Sequence, residues 1–546
     1  MKNLKLIFLL FFTFSEYSFA QNAKYLIVLK DKVGSPYSIS QPQQFLSQRS
    51  INRRMKQGIR ITEADLPVNP AYISQIKQTG AKIWYTSRWY NAVLVEATTT
   101  QLTAIKALAI YKNTEFGKQL SNVRLAATET TANKFGTEAL DYGASLGQIQ
   151  MLGVDKMHDL GFQGEGMLIG IFDSGFQNSN TNAAMSAIFA ENRVLATYDF
   201  VANKAGVYNE DSHGNNCFSI MAGYKTGGLI GPAFKSSFLL YRTEEAATET
   251  KVEEANWLVA AERADSAGVD IISTSLGYTT FDNPADNYTY ANMNGKTALI
   301  SRAATWAARV GMVVVAANGN EGSSSWKYLS APADADSVLA VGAVNSARLP
   351  AVFTSFGPSA DGRIKPDVSA QGVTTILSSP SSAVVGGNGT SYSTPLMAGL
   401  AAGLWQAYPH LTAQQVIQCL RKAGHLYQTP TAQLGYGIPT FEKAAAIAQS
   451  DYPITSLCCA VFDAVLLYPN PVSDGQFLNL RLPIYQANQS VDIQIFDMLG
   501  KTIWQGLVTP NSQNYSFSLP SGIVSGSYLL NISNNAFRQN LKFMKQ

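Results

Sequence analysis

The sequence predicts an α/β protein built on a parallel sheet with helices on both faces, preceded by an α+β unit and followed by a small β-sandwich. Three observations carry this. Between residues 147 and 450, short and almost wholly apolar runs alternate with longer helical segments, the pattern of parallel strands buried on both sides. Residues 24–115 show a different order of strands and helices, and beyond 465 an alternation of period two takes over. A chain of 546 residues, at roughly 150 per domain, is long enough for about three such units. The divisions expected are 1–20, 21–145, 146–450, a linker over 451–465, and 466–546.

Composition narrows the class. Hydrophobic residues make up 46% and charged residues 14%, enough to bury a large core. A net charge of +3 gives no electrostatic case for nucleic acid or a membrane surface as partner. Four cysteines, Cys217, Cys419, Cys458 and Cys459, do not make a disulfide scaffold and read as buried or incidental thiols.

In chain order, residues 1–20 read as an export signal: Lys2 and Lys5, an apolar run over 6–14, and the small-x-small site Ser18-Phe19-Ala20. The run is too short for a comfortable membrane span. In 24–115, strands are expected at 25–29, 83–85, 92–95 and from 110, with helices over 42–56, 71–78 and 100–108, a β-α-β-β-α-β order. Its place between export signal and main domain suggests a propeptide, and the polar stretch 118–146 a linker that can be cut. In the central region, strands are expected at 167–172, 194–198, 238–241, 270–274, 312–316 and 338–343, with helices over 253–267 and 297–309. After 465, the alternation of 491–496, the turn Asp497-Met498-Leu499-Gly500 and the strand 526–532 suggest the sandwich.

Ligands of open parallel sheets bind beyond the carboxyl ends of the strands. Polar residues gather there: Asp173 after the first strand, Ser275-Leu276-Gly277 after the fourth, and Asn318-Gly319-Asn320-Glu321-Gly322 after the fifth. A fourth stretch, Gly386-Gly387-Asn388-Gly389-Thr390-Ser391-Tyr392-Ser393-Thr394-Pro395, leads into a strongly apolar helix. Pro395 suits a first turn, so a serine hydroxyl sits at the positive end of that helix. The helix pattern does not choose between Ser391 and Ser393. A serine needs a base to take its proton and an acid to orient the base. Of the four histidines, His213 opens a buried helix, whereas His158, His410 and His425 read as surface or capping residues. Asp173 supplies the acid. An amide beyond a strand end suits a developing oxyanion; Asn320 fits, with Asn318 two residues earlier.

Asp173-Ser174-Gly175, His213-Gly214, Ser275-Leu276-Gly277, Asn318-Gly319-Asn320-Glu321-Gly322, Ile364-Lys365-Pro366-Asp367-Val368 and Gly389-Thr390-Ser391 together resemble subtilisin-like serine proteases, whose order along the chain is also Asp, His, Ser. The resemblance implies a subtilisin-like fold and an endopeptidase in which Ser391 is the nucleophile, His213 the general base, Asp173 its orienter and Asn320 the oxyanion donor. It implies that Ser275, Leu276 and Gly277 bind substrate backbone as an added strand, with Gly319 across the specificity pocket. The chain departs from the family at Asn216-Cys217, at Tyr392 in place of a common methionine, and at Leu396-Met397. The leading unit resembles an inhibitory, chaperoning propeptide. Residues 466–546 resemble the C-terminal sorting domain of the type IX secretion system, through Tyr468-Pro469-Asn470-Pro471, Ile495-Phe496-Asp497-Met498-Leu499-Gly500-Lys501, Gly526-Ser527-Tyr528 and Lys542-Phe543.

The implied partners are protein or peptide substrates, the chain's own propeptide and the outer-membrane secretion machinery. The implied location is outside the cell or on its surface. Members of the family often bind calcium, for which the oxygen-rich Asp282-Asn283-Pro284-Ala285-Asp286-Asn287 is the candidate, though it reads as a polar loop; no metal site is expected. Two competing readings use other features. Gly143-Ala144-Ser145-Leu146-Gly147 matches the nucleophile elbow of an esterase, but lacks the apolar strand that should precede it. The other is a dead protease scaffold acting as a secreted binding protein.

Overall fold

The structure, a computed structural model, describes residues 22–122, 140–453 and, beyond 465, all but 469, 474, 476, 483–489, 499, 511–513, 521 and 535–537. The expected export signal, most of the 118–146 linker, the Cys458-Cys459 pair and Leu499 lie outside the described residues. Among the described residues, no helix is long and apolar enough to cross a membrane.

The leading unit runs β1 (Ala23–Leu29), α1 (Gln48–Lys56), α2 (Pro70–Gln78), β2 (Lys82–Ser87), β3 (Ala92–Ala97), α3 (Thr99–Lys106), β4 (Tyr111–Thr114) and β5 (Ser121–Asn122). Its antiparallel sheet has the order β2-β3-β1-β4, with β5 also pairing with β1. Local chemistry starts the helices. Ser47 accepts the Ser50 N–H ahead of α1, Asn69 and Pro70 open α2, and Thr98 with Gln101 forms a capping box on α3. Successive strand residues point to opposite faces. Tyr25, Ile27, Val93 and Val95 pack against Ile76, Leu102 and Ile105, while Leu26, Leu94 and Trp84 face the central domain and join its core.

The central domain continues with α4 (Leu146–Met151), α5 (Val154–Asp159), β6 (Leu168–Asp173), α6 (Ser186–Ala190), β7 (Val194–Asp199), α7 (His213–Ala222), the short β8 (Tyr224–Lys225) and β9 (Leu229–Ile230), and β10 (Ser237–Arg242). Next come α8 (Lys251–Ala267), β11 (Ile271–Thr274), α9 (Leu299–Arg309), β12 (Val313–Ala317), β13 (Leu339–Val344), β14 (Val368–Gln371), the hairpin β15 (Thr375–Ser378) with β16 (Val384–Gly387), α10 (Thr390–Ala407), α11 (Ala413–Ala423) and α12 (Phe441–Asp451). Seven strands form one parallel sheet in the order β14-β13-β12-β11-β6-β10-β7. Ile169, Ile171, Val313 and Val315 pack under α7 and α10, whereas Phe172, Ile272 and Val314 pack under α8 and α9. Strand order reverses around β6, so the ends of β6 and β11 lie side by side. That is where the site forms.

The sequence pattern missed β14. Its residues Val368-Ser369-Ala370-Gln371 carry two polar side chains and yet are all buried. Ser369 Oγ donates to the Leu434 carbonyl at 3.3 Å and Gln371 Nε2 to that of Val373 at 3.3 Å, so burial costs no unmet hydrogen bond.

The leading unit is fastened to α8 by charge. Asp265, fully buried, accepts from Arg53, Arg54 and Arg88 together, Arg54 at 2.6 Å. Glu262 accepts from Ser87 Oγ at 2.6 Å and from the N–H groups of Arg88 at 2.8 Å and Trp89 at 3.2 Å. Trp89 stacks on Trp306 of α9 with centroids 6.1 Å apart. A carboxylate taken out of water is tolerable only when fully paired, and three guanidinium groups do this.

After the central domain, β17 (Leu466–Tyr468), β18 (Phe477–Arg481), β19 (Val491–Asp497), β20 (Thr502–Val508), β21 (Asn514–Ser518), β22 (Gly526–Ser533) and β23 (Arg538–Lys545) form two antiparallel sheets, β17-β18-β21 and β20-β19-β22-β23. Leu478, Leu480, Ile493, Ile495, Leu530 and Ile532 fill the space between them.

Candidate active site

Asp173 is the last residue of β6 and fully buried. His213 opens α7 and points its Nδ1 at Asp173 Oδ1, 2.7 Å away. The same Oδ1 accepts the Ser174 N–H at 2.9 Å. Asp211, two residues before the start of α7, accepts the His213 N–H at 2.9 Å and the Ser174 hydroxyl at 2.7 Å, so acid and base are tied together twice. Although burial opposes its charge, those bonds hold the Asp211 carboxyl below its usual range. Burial likewise disfavours a charged imidazole, but the adjacent Asp173 carboxylate outweighs it and raises the proton affinity of His213 well above the ordinary value.

Ser391 lies in the first turn of α10, and Gly389 before it takes φ +152°, a conformation other residues rarely adopt. The serine is 8% exposed; its Oγ donates to the Ser275 carbonyl at 3.1 Å, and its own carbonyl accepts from Ser275 Oγ at 2.9 Å and Cys217 Sγ at 3.4 Å. The nucleophile candidate is thus locked to the end of β11 and to α7. Ser393 is fully buried, its hydroxyl bonded to the Thr390 carbonyl at 2.9 Å, and reaches no cleft.

Two asparagines beyond β12 separate cleanly. Asn318 is fully buried and its Nδ2 donates to the Ser355 carbonyl at 2.8 Å. Asn320 is exposed, and its Oδ1 accepts both the N–H and the hydroxyl of Thr390 at 2.9 Å. With Oδ1 committed, Nδ2 is the free end of the amide, and it lies on the side of Gly389 that faces Ser391. Sequence reasoning did not single out Thr390 for this role, nor Asp211 and Ser174; a short side chain beside a motif residue carries no periodic signal.

Residues 275–277 belong to no ladder, and Tyr278 pairs only through an isolated bridge to Ala331. A side chain at Gly277 would fall 2.2 Å from Ser330 Oγ, and one at Gly319, which has φ +109°, 2.8 Å from Ser355 Oγ and 3.1 Å from Ser330 Oγ. Both glycines therefore crowd Ser330, which the sequence reading did not pick out. Leu276 is 6% exposed.

Asp173, His213 and Cys217 are the only three His, Cys, Asp or Glu ligands among the described residues found within 4.8 Å of one another. Asp173 and His213 are already bonded to each other, and burial pushes the Cys217 thiol above its usual value, away from the thiolate a metal needs. In the 282–287 loop, Asp286 pairs with Lys118 of the leading unit, Asn283 caps the loop, and Asn287 Oδ1 accepts the Phe281 N–H at 2.7 Å. Asn283 and Asn287 thus hold the loop's own backbone, and Asp286 ties it to the leading unit.

One competing reading falls and two readings need correction, the first being Pro395, which lies in the second turn of α10 and not in its first. Ser145 is fully buried, donating to the Tyr142 carbonyl at 2.8 Å and accepting the Ile230 N–H at 3.1 Å, so it cannot serve as an esterase nucleophile. His158 is not on the surface. It is 4% exposed, with Nε2–H donating to the Pro232 carbonyl at 3.0 Å and Nδ1 accepting from the Tyr142 hydroxyl at 2.8 Å.

Three family models match the chain: a Peptidase S8 propeptide domain of Bacteroidota over residues 24–134, the subtilase family over 164–437, and a secretion system C-terminal sorting domain over 466–546. Among similar proteins, subtilisin DY of Bacillus licheniformis is 32% identical over 272 residues, 49% of this chain and 87% of that protein. Subtilisin E of Bacillus subtilis (strain 168) is 28% identical over 374 residues, 68% of this chain and 84% of that protein. Among solved structures, MycP1 from the ESX-1 type VII secretion system superposes with a TM-score of 0.44 at 20% identity, covering 56% of this chain and 87% of that one.

Proposed function

The chain belongs to the subtilase family and is a serine endopeptidase, and we propose that Asp173, His213 and Ser391 are its catalytic triad, with Asn320 and the Ser391 N–H as oxyanion donors. The observation that carries the reading is the 2.7 Å bond from His213 to buried Asp173, beside a serine held in the first turn of α10.

Ser391 Oγ attacks the scissile carbonyl while His213 Nε2 takes its proton. Asp173 keeps the Nδ1–H tautomer and stabilises the imidazolium. The negative charge on the tetrahedral oxygen is met by Asn320 Nδ2 and by a first-turn N–H that has no acceptor inside the helix. Collapse breaks the peptide C–N bond, His213 returns the proton to the leaving amine, and water then cleaves the acyl-Ser391 ester by the reverse sequence. In the ground state Ser391 Oγ is bonded to Ser275, so a modest side-chain rotation precedes attack; such looseness is usual without substrate. Substrate backbone pairs with 275–277 as an added strand, and its side chain enters between Gly277 and Gly319.

The matched propeptide is an intramolecular inhibitor, and the matched sorting domain directs export by the type IX route to the cell surface or beyond it. The outer-membrane secretion machinery is the partner of residues 466–546. The cut that removes the propeptide falls before residue 140, because Tyr142 and Ser145 are packed into the central domain. Incubating secreted protein with a fluorophosphonate probe and mapping the labelled peptide tests the triad: label on Ser391, lost in both Ser391→Ala and His213→Ala, is expected. Label elsewhere, or full labelling of His213→Ala, refutes it.

A further inference from the structure

Tyr392, the residue after the nucleophile, turns its ring to His213. The ring centroids are 5.8 Å apart and the planes 29° from parallel. The tyrosine ring also lies close against Gly387 of β16, where a Cβ would sit only 2.5 Å from Tyr392 Cε2. The half-buried ring thus touches both a backbone with no side chain and the imidazole, and the missing side chain at Gly387 is what leaves room for it there. We propose that Tyr392 is a positioning residue for peptide-bond cleavage: its ring face braces His213 and favours the imidazolium formed when Ser391 gives up its proton.

An aromatic face carries negative charge density, and a cation within about 6 Å of the centroid is attracted to it. The other groups facing His213 are Asp173 from β6, Cys217 from its own α7, Asp211 from just ahead of α7, and Glu244 from the loop after β10. Burial, reinforced by Asp173 and Glu249, pushes the Glu244 carboxyl up to about 8, so it adds little negative charge at neutral pH. Asp173 anchors one edge of the imidazole in its plane. It does not stop the ring from rocking about the Nδ1–Oδ1 bond. A flat partner stacked on the ring face restrains that motion, and only Tyr392 stacks there among the described aromatic contacts.

The idea rests on His213 being the general base, and the two can fail separately. The rate of Ser391 inactivation by a fluorophosphonate, followed against pH on the secreted enzyme, reads the base without involving peptide specificity. In Tyr392→Leu the acid limb should move down by about half a pH unit and the plateau fall several-fold. Tyr392→Phe, which keeps the face and loses only the hydroxyl, should stay close to wild type. A Leu limb that coincides with wild type, or a Phe variant displaced as far as Leu, overturns the proposal. If Tyr392→Leu does not fold, phenylalanine analogues of increasing fluorination at 392 keep the shape and weaken the face. Their limb should move down stepwise with each fluorine added, and a constant limb overturns the proposal. His213→Ala labelling at wild-type rate would instead overturn the triad itself.

Discussion

Replacing Asn320 with alanine isolates the oxyanion term. Its Oδ1 is committed to Thr390 through two 2.9 Å bonds, so the substitution removes one donor, Nδ2, whose direction is fixed before substrate arrives. A hydrogen bond to a charged group is worth about 1.5–3 kcal/mol. At 1.36 kcal/mol per factor of ten, that bond by itself accounts for about 10- to 160-fold in rate. Bound substrate excludes water from the cleft and raises the figure; loss of the corresponding donor in subtilisin is known to lower kcat by about 10²–10³, a range carried over here. The expectation is a kcat about 10² lower with KM nearly unchanged, because the donor meets charge that exists only in the transition state. Initial rates on a labelled peptide, normalised to active sites titrated with fluorophosphonate, measure it. The Thr390 N–H would lose its acceptor, so thermal unfolding of the variant has to be followed alongside; Thr390→Val, which keeps the backbone bond, should lose only a few-fold. A kcat within twofold of wild type in a folded Asn320→Ala enzyme would refute Asn320 as the donor.

Arg88→Met alters only the leading unit and removes one of three guanidinium groups from Asp265. At about 1.5–3 kcal/mol for the lost bond, an isolated 22–122 fragment carrying it should inhibit mature enzyme roughly 10- to 160-fold more weakly, read as Ki, and an unchanged Ki would count against the ion cluster as the anchor. The general base must be neutral to accept a proton, and Asp173 raises the proton affinity of His213. Activity should therefore fall as pH drops through a value above the ordinary 6.5; a half-point at or below 6.5 contradicts the geometry. His158 is the reverse case, its ring depressed to about 4 chiefly by burial. Its contribution is complete above pH 6.5 and is lost as pH falls toward 4, on the order of 3 kcal/mol in all. Urea midpoints at pH 7 and 4.5 should diverge in wild type and converge in His158→Gln, whose failure to converge would shift the acid sensitivity elsewhere.

Much of this protein is legible from local pattern. Strand and helix positions follow from periodicity, because a strand buried on both faces needs a continuous apolar run and a helix under a sheet needs an apolar stripe. Five of the seven parallel strands obey that rule; β7, at the sheet's edge, is only partly buried and shows just a short apolar run, and β14 escapes it because Ser369 and Gln371 satisfy their polar groups on neighbouring backbone. His158 escapes local pattern for a related reason. Its neighbours Asp155, Lys156 and Asp159 are polar, but α5 turns the histidine inward onto Tyr142 and Phe234.

The sequence by itself determined which chemistries are present and in what order: an acid after one strand, an imidazole opening a helix, a hydroxyl in the first turn of another. What it left undecided were choices between neighbours of the same type. Ser391 and Ser393 are two residues apart on one helix, and only packing buries the second while leaving the first at a cleft. Asn318 and Asn320 divide in the same way, one spent on Ser355 and the other oriented by Thr390. The anchoring of Asp265 by Arg53, more than two hundred residues earlier, and the stacking of Tyr392 on His213 also arise only when distant segments meet. Periodicity records how a segment meets water, whereas the aim of a single polar atom depends on what the rest of the chain brings beside it.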